Sequence, residues 1–517
     1  MEAISAARRD VPLESLITGA VCDVNEFLGQ QFAAEERALY IRTYFEDIHP
    51  IWPHLTRDVF EYAANAPDLA RRLESDHVWA ATFYAVLSLG ALTERGGSFA
   101  PLQGPAWSIF QRAIKLFPLL LMAKRTLALA QALTTMALFA MNFSSWPLEE
   151  LLLTEAARVS IALRINKTSE STEDADGYSR LFWTVYCLEK DYCFQSSQST
   201  MIDDADIRCP LPELSPEQPY SASFGVLIAF CQLQSCAHSR LFTVTAFKKT
   251  QEIISAEIDG FRNDLEAWRL SVPVEYRPGL PLRMRQLSKP RFMLTALHLH
   301  LSYYILVVAV ARLDLYVYSN CNNGSLRAAK SKRILMEAAR SIVDVVQLVP
   351  IEPSTPMNML GLAPVVATFI LFELVVFNPY HPETPRNQAF LHIIAGYWVR
   401  LDVISDGQIA GQLLAEFASI ARDSLSRART FGGGDVEQLR SPAASTTEQF
   451  VLSEDLTSDG VWPSGVQVGD QASWDAATNE MIGADDFPLE FPLPDDWFDN
   501  GMFEGELGLV DMFGKAI

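Results

Sequence analysis

Cysteine is scarce in this chain and poorly placed for either of its structural uses. The seven cysteines (Cys22, Cys187, Cys193, Cys209, Cys231, Cys236 and Cys321) are odd in number, irregular in spacing, and never form a CxxC. That pattern offers neither a disulfide framework nor a zinc ligand set, and it suits a reducing compartment. Positive charge is also short: 41 Lys and Arg stand against 63 Asp and Glu, a net charge of −22. Affinity for nucleic acid comes mainly from Lys and Arg neutralising phosphates, so this polypeptide is expected to bind DNA poorly on its own. No GxxxxGK[ST], GxSxG, HExxH or dinucleotide fingerprint occurs. The opening MEAISAARRDVPLES lacks the apolar stretch of a signal peptide.

Uninterrupted apolar runs of membrane-spanning length, roughly 20 residues, are missing too. The run from Phe117 to Met141 is broken by Lys124-Arg125, and Leu301–Val310 is short and lies between His300 and Arg312. The run from Leu360 to Phe377 contains Pro364 and Glu373. Buried helices of a large soluble core account for all three, and no membrane partner is expected. Polar clusters with catalytic spacing are equally thin. His298 and His300 form an HxH, but residues two apart on a helix point to nearly opposite sides and do not share a metal. Asp203, Asp204 and Asp206 invite comparison with the aspartate-rich metal motif of all-helical terpene synthases. The second motif such enzymes need is not met: Asn263-Asp264 is followed by Ala267 and Ser271 at the two further ligand positions. No catalytic residue, cofactor or metal is expected.

What is present is helical periodicity. Hydrophobic residues make up 49% of the chain and charged ones 20%, a globular balance. Helical spacing dominates from about residue 35 to 430, and alternating strand-like stretches are few. Val78, Trp79, Phe83, Val86 and Leu87 recur at one-, four- and three-residue steps and predict one apolar helix face. A helix start is written at Ser144-Ser145-Trp146-Pro147, with Glu149 and Glu150 in the first turn. Proline-rich stretches at Cys209–Pro219 and Arg277–Pro290 read as connections, the first a possible sub-boundary near 209–220. Gly432–Gly434 is expected to close the last helix. The basic run Arg327–Arg333 has the look of a nuclear-import signal; its plainer reading is the solvated start of a helix.

The tail is different. From Ser441 to Ile517 there are sixteen Asp or Glu and one basic residue, Lys515, so this stretch carries −15 and leaves −7 for residues 1–440. Acidic residues alternate there with Phe487, Leu489, Phe491, Leu493, Trp497, Phe498, Met502, Phe503 and Leu507, while Pro488, Pro492 and Pro494 oppose a stable helix. Charge and proline keep such a segment from collapsing into its own core. Its composition is that of an acidic activation segment. A disordered solubilising tail and a strap docked on the body are the alternatives.

Three stretches together resemble the regulatory (middle homology) domain of the fungal-specific transcription factor family. Tyr44-Phe45, with His49-Pro50 and Pro53 after it, is similar to the family's entry motif. SSWPLEELLLTEAARVSIALRIN is similar to a family helix with an Ala-x-x-x-Ala core and a Leu-Gly-Leu-His ending, here Leu163-Arg164-Ile165-Asn166. RLFWTVYCLEKDYC matches an Arg-x-Phe-Trp-x-x-Tyr-x-x-Asp-Arg pattern through Arg180, Phe182, Trp183 and Tyr186, with Glu189-Lys190 in place of Asp-Arg. MIDDADIRCPLP follows at the family's distance, with Asp203 and Ile207 in an Ile-x-Asp-x-Asp-Ile pattern. Ser197 to Thr200 stand where Gly-Arg-Pro is usual.

The resemblance implies an all-α fold: a large multi-helix regulatory domain over 35–430, after a 1–34 extension and before a disordered acidic activation segment over 440–517. The motif residues Tyr44, Phe45, His49, Pro50, Arg180, Phe182, Trp183, Tyr186, Asp203 and Ile207 would pack the helical core, with Arg180, Glu189 and Asp203 in polar contacts that link helices. Family members usually carry a six-cysteine zinc cluster at the N-terminus. Before Tyr44 this chain has Cys22 and only Arg8, Arg9, Arg37 and Arg42 as basic residues, so neither zinc nor DNA reading carries over. A first exon missing from the gene model, recruitment by another DNA-binding protein, and loss of promoter binding are the three explanations. The expectation is a nuclear transcriptional regulator, an activator of a secondary-metabolite or catabolic gene set. Phe487, Phe491, Trp497, Phe498, Met502 and Phe503 would contact coactivators or other transcription proteins. DNA would be reached only indirectly or through a missing N-terminal module, and a homodimer is left open. The rival is a cytoplasmic helical small-molecule sensor or scaffold without transcriptional output.

Overall fold

In a computed structural model, which describes residues 33–100, 102–142, 146–168, 175–213, 221–282, 290–318 and 325–436, all regular structure is helical and the described residues contain no strand. Helix α1 (Ala34–Thr43) runs into a π-helical turn (Tyr44–Ile48) and is followed by α2 (Arg57–Ala64), α3 (Leu69–Ser75) and α4 (His77–Arg95). Next come α5 (Pro105–Lys115), α6 (Phe117–Met122), α7 (Leu127–Ala140), α8 (Trp146–Ala162) and α9 (Ala175–Ser196). Beyond the proline-rich connection lie α10 (Ser221–Ala237), α11 (Gln251–Ser271), α12 (Pro290–Tyr318) and α13 (Ser325–Val346). The last described helices are α14 (Ala363–Phe377), α15 (Thr384–Ile404) and α16 (Gly411–Val436). The tail and residues 1–32 lie outside the described residues.

Local chemistry fixes several of these boundaries. The Asp76 carboxylate caps α4 by accepting from the Trp79 N–H at 3.0 Å, and the Thr126 hydroxyl caps α7 by accepting from the Leu129 N–H at 3.2 Å. Pro105, Pro364 and Pro385 stand in the first turns of α5, α14 and α15, where a proline sacrifices no helical hydrogen bond. The helix expected after Ser145 begins at Trp146; Ser144 and Ser145 lie outside the described residues. At the other end a correction is needed. Helix α16 passes through Gly432–Gly434 to Val436, because glycine weakens a helix by about 1 kcal/mol relative to alanine without forbidding it.

The single apolar face expected for α4 is also corrected: every residue from Ala80 to Leu92 is buried, on all sides. Its other positions are mostly small (Ala80, Ala81, Ala85, Ser88, Gly90, Ala91), so α1, α5 and α7 can all approach it. The closest approach is at Gly90, where a Cβ would stand 2.1 Å from the Tyr40 carbonyl oxygen of α1. A second close approach joins α15 to α16: a Cβ on Gly411 would stand 2.0 Å from the Trp398 carbonyl oxygen.

The buried apolar residues form one contiguous cluster from Tyr40 to Leu425, so the Cys209–Pro219 connection separates helices without interrupting that core. Two segments, Phe292–Tyr318 and Asn358–Phe377, are long and apolar enough to cross a membrane, yet most of each is buried against the other helices. In the second half, Asp314 on α12 is fully buried and receives Arg327 of α13 at 2.7 Å and Arg262 of α11 at 3.0 Å. The Ser331 hydroxyl donates to the same carboxylate at 2.6 Å. Arg327 also pairs with Asp259 at 2.8 Å, and Arg333 pairs with Glu337 at 3.0 Å. The basic run 327–333 is thus part of a packed helix, with two of its arginines engaged by carboxylates.

Candidate functional site

The motif residues gather at two places, both built on the first half. At the first, α1 widens into the π-helical turn and delivers Tyr44 and Phe45 to the core, both buried. Phe45 meets the His49 ring at 5.1 Å and the Phe60 ring at 5.6 Å, and Phe60 meets Trp79 at 5.1 Å. His49 Nε2 lies 2.7 Å from the Leu55 carbonyl, closing the loop that carries Pro50, itself buried. His54 lies 2.8 Å from the Thr135 hydroxyl of α7, and Gln131 donates to the His54 carbonyl at 3.0 Å. Burial lowers the pKa of His49 to about 4 and of His54 to about 3. Both rings are therefore neutral at physiological pH and serve as wedges between α1, α2 and α7.

The second place is α9 and the loop after it. Phe182, Tyr186, Glu189, Lys190 and Cys193 recur at four-, three- and one-residue steps and so share a face of α9. The Glu189 carboxylate accepts from the Met201 and Ile202 N–H groups, and the Lys190 ammonium donates to the Ile202 carbonyl. These two side chains are almost completely buried and 3.9 Å apart. Burial raises the pKa of Glu189, while Lys190 and the two amides pull it back down. Asp204 then completes the clamp: it accepts from the Tyr186 hydroxyl at 2.9 Å and from the Ser235 hydroxyl of α10, and lies 3.8 Å from Lys190. Further along, the Asn166 carbonyl accepts from the Arg208 and Cys209 N–H groups at 2.7 and 2.9 Å, and Trp183 donates to the Pro210 carbonyl at 2.8 Å.

One expected role moves by a residue. Asp203 is exposed, and its carboxylate accepts from the N–H of Ala205, two residues away, a local bond that links no helices. Asp204 does that work, because only its carboxylate lies between Tyr186 and Ser235. Arg180 is half-buried and pairs within its own helix with Asp176 at 2.8 Å, while reaching the Pro53 carbonyl at 3.5 Å. That long contact joins the two motif places, which also meet where α7 packs against α9. Ile207 is half-buried beside the clamp, and Phe182, Trp183 and Tyr186 are buried. Asp204 and Asn166 were missed from sequence. The signal for Asp204 was present in the aspartate run; for Asn166 it was the helix ending that departs from the family pattern.

Two of those departures carry backbone strain. Arg164 has φ +57° where the family helix ends in Leu-Gly-Leu-His, and Ser197 has φ +56° where Gly-Arg-Pro is usual. Both lie in the left-handed region that glycine enters without a steric penalty.

Between α9, α10 and the loop lies a cleft of about 450 Å³ lined by Trp183, Tyr186, Asp204, Ile207, Cys209 and Gln232. Its one carboxylate is already engaged by Tyr186, Ser235 and Lys190, and Lys190 is sealed beneath it. The thiol that lines it, Cys209, lies 3.5 Å from the Ser179 hydroxyl. Among the described residues no group of three or more His, Cys, Asp or Glu is arranged to hold a metal. The five described cysteines are free thiols, four of them buried, and Cys231 donates to the Cys187 carbonyl at 3.6 Å. His298 faces Asp191 at 3.6 Å, whereas His300 is buried and held neutral with a pKa of about 4. Phe487, Phe491, Trp497, Phe498, Met502 and Phe503 lie outside the described residues.

Residues 41–269, which contain both motif places, match the fungal specific transcription factor domain. An ABC-transporter-regulating transcription factor of Aspergillus oryzae is 23% identical over 427 residues, covering 76% of this chain and 47% of that protein. A protein of the same description from Aspergillus fumigatus is 23% identical, covering 68% and 42%. An uncharacterized transcriptional regulatory protein of Schizosaccharomyces pombe is also 23% identical, covering 71% and 59%. The chain spans about half the length of the curated relatives it matches.

Proposed function

We propose that this protein, whose residues 41–269 match the fungal specific transcription factor domain, is a nuclear regulator of transcription that works through protein contacts. The match over both motif places, together with relatives described as transcription factors, supports this reading. The helical body is a scaffold: its motif residues lock α9, α10 and the 199–210 loop into one unit. The tail is the output. Its large apolar residues Phe487, Phe491, Trp497, Phe498, Met502 and Phe503, set among carboxylates in the sequence, enter apolar grooves on coactivators. Promoters are reached through a DNA-binding partner or a further module of the chain, since the acidic balance opposes direct contact.

The decisive experiment fuses Ser441–Ile517 to an unrelated DNA-binding domain and measures a reporter. Activation that falls when Trp497, Phe498, Met502 and Phe503 become Ala is the expected result. A silent fusion removes the tail from the mechanism. The proposed target set is a fungal secondary-metabolite or catabolic gene cluster. The descriptions of the two Aspergillus relatives favour a second reading, transporter genes. Transcript profiling of a deletion strain separates the two.

A further inference from the structure

Helix α15 packs its inner side through Leu391, Ile394, Tyr397, Trp398 and Leu401 and leaves an outward arc that no described element covers. Its exposed large apolar residues lie in the C-terminal half of the helix, from Ile393 to Ile404. Ile393 and Val399 are each nearly half exposed, Ile404 is 48% exposed and Val403 is 70% exposed. Gly396 sits at the centre, and a Cβ built there meets nothing within 4 Å. The result is a notch in which a ring can lie against bare backbone. The ionisable side chains on the arc are Arg386, His392 and Arg400, and the helix's one acidic residue, Asp402, is turned away and half-buried. An apolar stripe with a basic edge fits an acidic segment that carries large apolar side chains.

The chain contains such a segment. From Asp485 to Phe513 there are nine acidic residues and no basic one, interspersed with Phe487, Phe491, Trp497, Phe498 and Phe503. Its route is short. The Tyr380 hydroxyl donates to the Ala428 carbonyl at 2.8 Å, so the C-terminal third of α16 runs beside the start of α15. The stripe from Ile393 to Ile404 is about 17 Å long at 1.5 Å per residue. The 48 residues from 437 to 484 can reach up to about 160 Å at ~3.3 Å per residue, so the 485–513 segment is within covalent reach of the stripe.

We infer that the outward face of α15 is the docking surface for the chain's own 485–513 segment, with the aromatics on Ile393, Gly396, Val399 and Val403 and the carboxylates against Arg386 and Arg400. This deepens the proposed function and rests on the tail being the segment that meets partner proteins: docked, its aromatics are withheld from a coactivator.

The test uses the full chain with a photo-crosslinking phenylalanine analogue in place of Val399, an exposed position whose replacement leaves the core intact. Irradiation followed by peptide mapping is expected to join position 399 to residues 485–513. Mixing isotope-labelled and unlabelled chains is expected to show the adduct within one chain. Arg386→Glu with Arg400→Glu, helicity unchanged, is expected to lower the yield about fivefold, as two exposed pairs should. Adducts to a second copy or to another part of the body, an absent adduct, or a yield indifferent to the charge reversal would each overturn the inference. The crosslink reads contact and the fusion reporter reads output. A silent tail that still crosslinks therefore removes the function alone, and an active tail that does not crosslink removes the docking alone.

Discussion

In the second half of the molecule Asp314 is held by two arginines from two different helices, and its carboxylate ties α11, α12 and α13 together. In the first half Glu189 and Lys190 are neighbours on one helix, and most of their hydrogen bonds go to the backbone of a loop. Both arrangements bury charge, yet they restrain different things. The Asp314 cluster fixes helix positions, so its loss should be felt globally. The Glu189–Lys190 clamp fixes the path of residues 199–204 over a surface the helices already provide, so its loss should be felt locally. Buried charge in one fold thus serves assembly in one region and loop placement in the other.

The sharpest way to break this comparison is Asp314→Ala, which leaves two arginines facing a site without its carboxylate. It is expected to cost about 3–5 kcal/mol, read as a large fall in the urea midpoint with every probe moving together. Lys190→Met should cost about 2–3 kcal/mol, since it strands the Ile202 carbonyl and a buried carboxylate. Hydrogen exchange should accelerate at 199–204 before it does in α11–α13. Equal acceleration in both regions would erase the distinction. Gly90→Ala, which drives a methyl into the Tyr40 carbonyl, tests an uncharged contact and should cost roughly 1–3 kcal/mol.

A smaller effect concerns pH. Burial and the nearby Asp191 carboxylate raise the pKa of Glu149 on α8 to about 8. A carboxyl raised on folding stabilises below its ordinary value and loses that contribution as pH climbs through about 8. His49 and His54 act in the opposite sense: lowered to about 4 and about 3, they favour folding above pH ~6.5 and withdraw support as pH falls. Thermal midpoints should therefore decline on both sides of neutrality. Glu149→Gln should remove the decline toward pH ~8 and steepen the acid arm between pH ~5 and ~6.5, where the carboxyl and the histidines had opposed each other. The smallest effect is a gain: Arg164→Gly relieves a left-handed residue and should add about 1 kcal/mol, provided φ stays positive.

Much of this architecture could be read before any coordinates, because helical spacing of apolar residues is a local property repeated over hundreds of positions. The order of the motif stretches located both places where the core and loops interlock. Other features could not be read because they depend on distance across the fold. Neighbouring Asp203 and Asp204 are the same residue type in the same loop, and only the position of Tyr186 and Ser235 distinguishes them. Nothing in the α4 pattern announces that Gly90 meets a carbonyl of α1. Small residues between large ones read as a polar-side filler until neighbours are seen on every side. Likewise three consecutive glycines read as a stop, whereas α16 continues through them.

The contact of Gly411 with the Trp398 carbonyl has a mechanical consequence. With no side chain between them, α15 and α16 meet backbone to backbone at this point, and any larger residue at 411 would pry the hairpin apart. Such an opening would change the separation between the stripe on α15 and the end of α16.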